Sequence, residues 1–202
     1  MRSFLLWIGI LASSAFSQSV NCTFQPLPIP GNFSITGGNN DLHSVVGSFL
    51  TSSGPSQGFL FSAAGRSAIA VPGAIQTTPS DINNPGVIVG TSLDSANVSH
   101  GFLLDSTGYQ TIDYPGQGLS TTALGINDEE TVVGTFYATP SASQISYILK
   151  DGQFTTLAAP GADITEAGGI NESGEIVGTY VSSADQTFHG FSWKDGELLR
   201  VR

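Results

Sequence analysis

Short runs of β-branched and aromatic residues, separated by Gly, Pro, Asn and Asp, make up the chain after its N-terminal segment. Tight turns at 172–174 and 194–196 carry Gly, which accepts a positive φ, beside Asn or Asp, which bond their own backbone. Apolar periodicity typical of a helix is missing from this part of the sequence. The pattern therefore predicts an antiparallel, all-β meander, whose last unit has strands at 164–171, 175–181, 187–193 and 197–202.

The same pattern occurs four times along the chain. A Val-Val-Gly or Ile-Val-Gly triplet, a Gly-aromatic pair, a Pro-Gly pair and an Ile-Asn pair recur together, with some substitutions. The glycines of the triplets follow one another at intervals of 43, 44 and 44 residues: Gly47, Gly90, Gly134 and Gly178. Several markers that keep one period indicate a repeat architecture. We predict one repeat domain over 32–202, with units at 32–73, 74–116, 117–161 and 162–202.

Four-stranded units of this length are typical of β-propeller blades. The prediction is thus a β-propeller-like array of four blades, in which the triplet Gly allows close approach and the third-strand aromatic ring packs between blades. The segment 22–30 resembles a fourth strand and could close a ring against the last unit. That unit already has its own fourth strand, so an open array and a partial ring completed by another chain remain alternatives.

The N-terminus predicts secretion. Arg2 precedes the apolar run 4–12, which small residues follow, and this order is typical of a signal peptide over 1–17. The segment 18–31 then connects it to the repeats. Nine apolar residues are too few to span about 30 Å of hydrocarbon, so no membrane insertion is expected after cleavage.

Charge and cysteine content exclude several classes of protein. Asp and Glu number 16 against 6 Lys and Arg, for a net charge of -10, and no basic cluster suits a nucleic-acid backbone. The only cysteine, Cys22, excludes a disulfide scaffold and a cysteine-rich zinc site.

The repeat resembles a known extracellular family. The segment 169–178 reads Gly-Ile-Asn-Glu-Ser-Gly-Glu-Ile-Val-Gly, and His189-Gly190-Phe191 follows it; 82–90 and 100–102 repeat this arrangement. These residues resemble the HAF repeat family, strongly in units two and four and loosely in the other two. The resemblance implies a secreted or cell-surface protein, and it brings no catalytic or ligand-binding residues with it.

Two histidines recur at matching positions and are candidate ligands or acid–base groups: His100 and His189. Two of the four units lack this His, which favours a structural role at the start of a strand. His43 cannot join them by symmetry, because it aligns with Gly86, Glu130 and Gly174 instead.

The most regular polar positions are asparagines: Asn40, Asn83, Asn127 and Asn171. They are expected to form Asx-type turns into the second strand; the alternative is a row of amides that binds sugar hydroxyls or a cation. The acidic run 128–130 does not match a calcium loop, so calcium has only weak support and no cofactor is expected.

The sequence contains no nucleophile elbow, zinc-protease motif or phosphate-binding loop. We therefore expect a non-catalytic extracellular module that binds a protein or a glycan through its loops. A polysaccharide hydrolase or lyase on a propeller scaffold and a structural element of the cell envelope are the alternatives.

Overall fold

The computed structural model describes residues 34–51, 54–116, 120–137 and 144–201. The predicted signal peptide and the segment 22–30 lie outside these residues. Within them the chain forms sixteen strands: β1 (Ser34–Asn39), β2 (Val45–Thr51), β3 (Gly54–Ser62), β4 (Gly65–Ile69), β5 (Gln76–Ile82), β6 (Ile88–Leu93), β7 (Ser99–Asp105), β8 (Gly108–Ile112), β9 (Thr121–Ile126), β10 (Val132–Tyr137), β11 (Gln144–Lys150), β12 (Gln153–Leu157), β13 (Ala162–Ile170), β14 (Ile176–Ser182), β15 (Phe188–Lys194) and β16 (Glu197–Val201).

The strands form four antiparallel sheets of four, each a simple meander in chain order. We number them sheets 1 to 4. The first strands of successive sheets contact one another, β1 with β5, β5 with β9 and β9 with β13, so they form the inner edge of the array. The predicted all-β fold of four-stranded, propeller-like units is confirmed. In the described part of the chain, no contact of similar extent joins sheet 4 back to sheet 1.

Adjacent sheets bury one valine of each of the first three Val-Val-Gly or Ile-Val-Gly triplets between them. Val46, Val89 and Val133 are each fully buried, and Val133 packs in one cluster with Ala167 and Ile176 of the next sheet. Burial of a valine removes enough apolar surface to stabilise the fold by about 1.5 kcal/mol or more. Each of the first three units therefore depends on the next unit for part of its core.

The triplet glycine of the second strand faces the aromatic ring of the third. The cross-strand pairs are Gly47–Phe59, Gly90–Phe102, Gly134–Tyr147 and Gly178–Phe191. These four rings are almost completely buried, as expected for groups that fill the space between sheets. A methyl group at three of these glycines would overlap the ring and the main chain of the neighbouring first strand.

The turn between the first two strands of every unit needs a left-handed residue. His43, Gly86, Glu130 and Gly174 occupy this position, with φ values of 59°, 92°, 58° and 75°. The alignment of His43 with a turn glycine is therefore correct, and its place is set by backbone geometry. The observed strands of the last unit differ from the predicted ones by no more than two residues at each end, partly because Asn171 leaves the strand to close this turn.

Within the part of the chain that the structure describes, sheet 4 presents an uncovered face. Val177 is 52% exposed, although the three valines at the equivalent position are fully buried. A Cβ atom built on Gly169 would meet nothing within 4 Å, whereas one on the equivalent Gly125 lies 3.1 Å from the Cα atom of Gly169. The array described here is thus open at its C-terminal sheet.

Candidate functional site

The recurring asparagines join neighbouring units at the inner edge. The Nδ2 group of Asn40 donates to the carbonyl of Asn83 at 3.0 Å, and that of Asn83 donates to the carbonyl of Asn127 at 3.0 Å. All four asparagines also accept main-chain N–H groups of their own turns through Oδ1: Asn40, Asn83, Asn127 and Asn171. The predicted Asx turn is present, and the amides of Asn40 and Asn83 also link consecutive units.

The residue after each asparagine forms a parallel row of hydrogen bonds. The N–H of Asp41 donates to Asn84 Oδ1 (2.9 Å), that of Asn84 to Asp128 Oδ1 (2.8 Å), and that of Asp128 to Glu172 Oε2 (2.8 Å). Every bond runs from one unit to the next. We call the two rows together the inner ladder.

Asp81 is a partly buried carboxylate that the sequence analysis did not single out. Its Oδ2 accepts the N–H of Ile126 in the next unit at 3.1 Å, and its Oδ1 accepts the N–H of Ile82 at 2.9 Å. Burial raises the pKa of Asp81, although the two N–H donors oppose this effect. The sequence does mark Asp81 as a departure from the repeat, because Gly125 and Gly169 occupy the equivalent position in the next two units.

His100 binds two carboxylates. Its Nδ1 atom lies 2.9 Å from Asp113 Oδ1, and its Nε2 atom lies 3.4 Å from Asp94 Oδ2. Burial disfavours the imidazolium, but the hydrogen bonds and charges of Asp113 and Asp94 outweigh it and raise the pKa of His100. This residue links the start of β7 to the segment after β8.

His189 lies in sheet 4 and has different partners from His100. Its Nε2 atom is 2.8 Å from the Thr187 hydroxyl, which donates to Asp185 Oδ1 at 2.8 Å, and its ring packs on Tyr180. Hydrogen bonds from the Thr187 side chain and backbone lower the pKa of Asp185 to about 2. The two predicted histidines therefore do not share a site, and each is held by groups of its own unit.

The contribution of His100 to the free energy of unfolding should depend on pH. The pKa of His100 in the folded state exceeds its ordinary value of 6.5, so the contribution is present below pH 6.5 and disappears as pH rises through the folded value. We expect His100→Gln to cost up to about 1 kcal/mol at pH 5.5 and less at pH 8. Chemical denaturation at both pH values measures this difference, and Asp113→Asn is expected to lower the His100 pKa in an NMR titration. An equal cost of His100→Gln at both pH values would contradict a stabilising role for the charged imidazole.

A cleft of 380 Å³ opens between sheets 2 and 3. Its apolar floor includes Ile112, Val132, Leu149 and Phe154, and carboxylates surround it. Glu129, from the acidic run, pairs with Lys150 at 2.8 Å. The other carboxylates of the cleft are Asp113, Glu130 and Asp151.

The cleft combines residues that are distant in sequence. Glu130 enters it from the left-handed turn before β10, and Asp151 from the tight turn between β11 and β12, with a φ of 50°. In the sequence, Glu130 aligns with turn glycines, but the turn at Asp151 was not singled out. Nor does the sequence show that both turns face Asp113 of the preceding unit, because that depends on how two sheets pack. In the described part of the chain, no group of three or more His, Cys, Asp or Glu is placed to hold a metal. No helix in that part could cross a membrane.

Solved structures support the fold. TolB from Acinetobacter baumannii superposes with a TM-score of 0.65 at 15% identity, over 83% of this chain and 43% of that protein. This chain thus spans less than half the length of TolB. At such identity the likeness shows a shared β-propeller fold and no more.

Two lectin structures superpose less well. The Aleuria aurantia lectin in complex with α-methyl-L-fucoside gives a TM-score of 0.48 at 12% identity, over 79% of this chain and 56% of the lectin. A mercury derivative of the fucose-specific lectin from Aleuria aurantia gives 0.42 at 7% identity, over 83% and 76%. No protein-family model and no curated protein matches the sequence, so the resemblance to HAF repeats stays a prediction.

Proposed function

We propose that the protein is a secreted, non-catalytic binding module whose cleft between sheets 2 and 3 takes a saccharide that carries amino groups. The observation that carries this proposal is the combination of an apolar floor and a carboxylate rim in one cleft of 380 Å³. Ligand sites are typically concave, largely apolar, and lined by a few polar groups that fix orientation.

The floor suits the apolar face of a sugar ring. Phe154 is only partly buried, and its position is fixed by edge-on contacts with Tyr114 and Tyr147, at ring distances of 5.3 and 5.2 Å. Burial raises the pKa of Tyr147, so its hydroxyl stays protonated and donates to the carbonyl of Thr122 at 2.9 Å. A rigid aromatic ring supplies contact area at little cost in conformational entropy.

The rim favours a cationic ligand. Two of its carboxylates are already bound, Asp113 by His100 and Glu129 by Lys150, while Glu130 and Asp151 are exposed at the cleft. Charge-assisted hydrogen bonds from ammonium groups to carboxylates are roughly twice as strong as neutral ones. The net charge of -10 adds a long-range attraction for cations that salt weakens.

A pair of oligosaccharides that differ only in N-acetylation tests the proposal. Isothermal titration calorimetry with the glucosamine tetrasaccharide should show binding about tenfold tighter than with the N-acetylglucosamine tetrasaccharide, because the two exposed carboxylates, Glu130 and Asp151, can each pair with an ammonium group for up to about 1 kcal/mol. This preference should decline at high salt. No detectable binding of the glucosamine tetrasaccharide at low salt would refute the proposal.

A matched pair of variants localises the site. Asp151→Asn should weaken binding up to about fivefold, and Phe154→Ala about tenfold through the lost ring contact. The control is Asp195→Asn, which lies in the equivalent turn of sheet 4 with nearly the same φ, 51° against 50°, and outside the cleft. Equal losses for Asp151→Asn and Asp195→Asn would show that binding follows overall charge and not the cleft.

A further inference from the structure

The uncovered face of sheet 4 ends a series of equivalent junctions. At each internal junction a fully buried valine and a cross-unit bond of the inner ladder meet the following unit. In sheet 4 the equivalent Val177 is 52% exposed and Asn171 is exposed as well. The same half-junction is therefore present, and no unit within the described residues covers it.

The donors of the inner ladder are unused at this end. Among the described residues, the Nδ2 group of Asn171 and the N–H of Glu172 have no hydrogen-bond acceptor. Their equivalents in the first two units donate to a carbonyl and to a side-chain oxygen of the next unit. A group that docks here must offer a main-chain carbonyl beside a carboxylate or amide oxygen.

The first unit of the chain carries this pair of acceptors. The carbonyl of Asn40 accepts the N–H of His43 at 3.1 Å, as the carbonyl of Asn83 accepts that of Gly86, and it retains a second lone pair. Asp41 is exposed, and only its Oδ2 atom has a partner within the described residues, Asn84 at 3.0 Å. Val45 is only half-buried, although Ile88, Val132 and Ile176 at the same position are 1–3% exposed.

We propose that a second copy of this chain docks head to tail, with its first turn and Val45 on the Val177 face of sheet 4. The N–H of Glu172 then donates to Asp41 of the copy, and the Asn171 amide donates to the Asn40 carbonyl, which continues the inner ladder across two molecules. Val177 lies in the second residue pair from the turn of sheet 4, and Val45 in the first pair of sheet 1, so both belong to the turn end.

This junction is more polar than the internal ones. Asn39, which is exposed, occupies the position where the other units have Ile. The third-strand ring of the first unit, Phe59, is already fully buried and is not free to pack on a second molecule. The docking surface is therefore limited to the turn end, and the association should be weak and reversible. Head-to-tail contacts form rings if the rotation closes and filaments if it does not.

Sedimentation velocity from 10 µM to 1 mM of the secreted chain tests the proposal. The wild type should show a concentration-dependent average mass above that of a monomer. Val177→Glu and Asp41→Lys should each raise the dissociation constant at least tenfold. Leu50→Glu, at the far end of β2 and 48% exposed, is the control for nonspecific hydrophobic association, and it should change the dissociation constant little. All three changes are at exposed or half-exposed positions, and a thermal melt checks that each variant is folded.

Mixing the two blocked variants decides the geometry. Val177→Glu keeps an intact first turn and Asp41→Lys keeps an intact sheet 4 face, so an equimolar mixture should form a one-to-one dimer and nothing larger. A two-fold arrangement of sheet 4 faces would leave Asp41→Lys dimeric and give no complementation, which overturns the proposal. A wild type that stays monomeric at 1 mM also overturns it.

Discussion

Gly134→Ala should lower the free energy of unfolding by about 3–4 kcal/mol and the melting temperature by about 10 °C. A Cβ atom at this position would overlap the carbonyl oxygen of Thr122 and lie 2.7 Å from the Tyr147 hydroxyl. These two groups form a hydrogen bond of 2.9 Å, so the methyl group would both crowd the core and disrupt a buried bond. The carbonyl belongs to the main chain of β9 and has little freedom to move.

Gly169→Ala is the matched control. Gly169 is also a strand glycine, but a Cβ atom there meets nothing within 4 Å. Since Ala restricts the unfolded chain more than Gly, this change should be neutral or slightly stabilising. Urea denaturation of both variants measures the difference. Similar effects at the two glycines would mean that chain flexibility, and not crowding at the Tyr147 ring, dominates.

Asn83→Ala should cost about 3 kcal/mol. Asn83 is 3% exposed, and its amide donates to the Asn127 carbonyl while accepting the N–H of Val87 at 2.7 Å. The substitution removes both bonds and leaves a buried N–H without its acceptor, which alone costs about 1–3 kcal/mol. The effect should appear as a lower urea midpoint.

Asn171→Ala provides the comparison at the same position of the repeat. Its Oδ1 atom also accepts N–H groups of its own turn, from Ser173 at 3.0 Å and Glu175 at 2.9 Å, but the residue is exposed. Water can replace these bonds, so we expect a cost of about 1 kcal/mol or less. If the two substitutions cost the same, the bond between units contributes nothing and the turn accounts for the whole effect.

The repeat made the fold predictable from sequence. The triplet glycines and the third-strand aromatics recur with one period, and each pair is cross-strand in the structure, as at Gly90 and Phe102. The alignment of His43 with turn glycines is also correct, since His43 adopts the same left-handed conformation as those glycines. These features are local to one unit, where spacing along the chain fixes which residues meet.

The contacts between units could not be predicted from the spacing of residues within one unit. The Asn83 amide was expected to close its own turn, but its second bond goes to Asn127 in the next unit. Asp81 and Asp113 have no recurring signal, and the recurring turn at Asp151 does not reveal which unit it faces, because that depends on the angle and separation of neighbouring sheets. Regular spacing thus predicts the units, whereas chemistry between units needs their packing.

The hydrogen bonds of the inner ladder all point in one direction along the array. Its bonds run from the turn of one unit to the turn of the next, from Asn40 to Asn83 and from Asn83 to Asn127. Within the two rows of the inner ladder, each internal turn donates to its successor and accepts from its predecessor, so a duplicated internal unit would have matching donors and acceptors on both sides. Duplication of an internal unit would therefore lengthen such an array without new hydrogen-bonding groups at either junction.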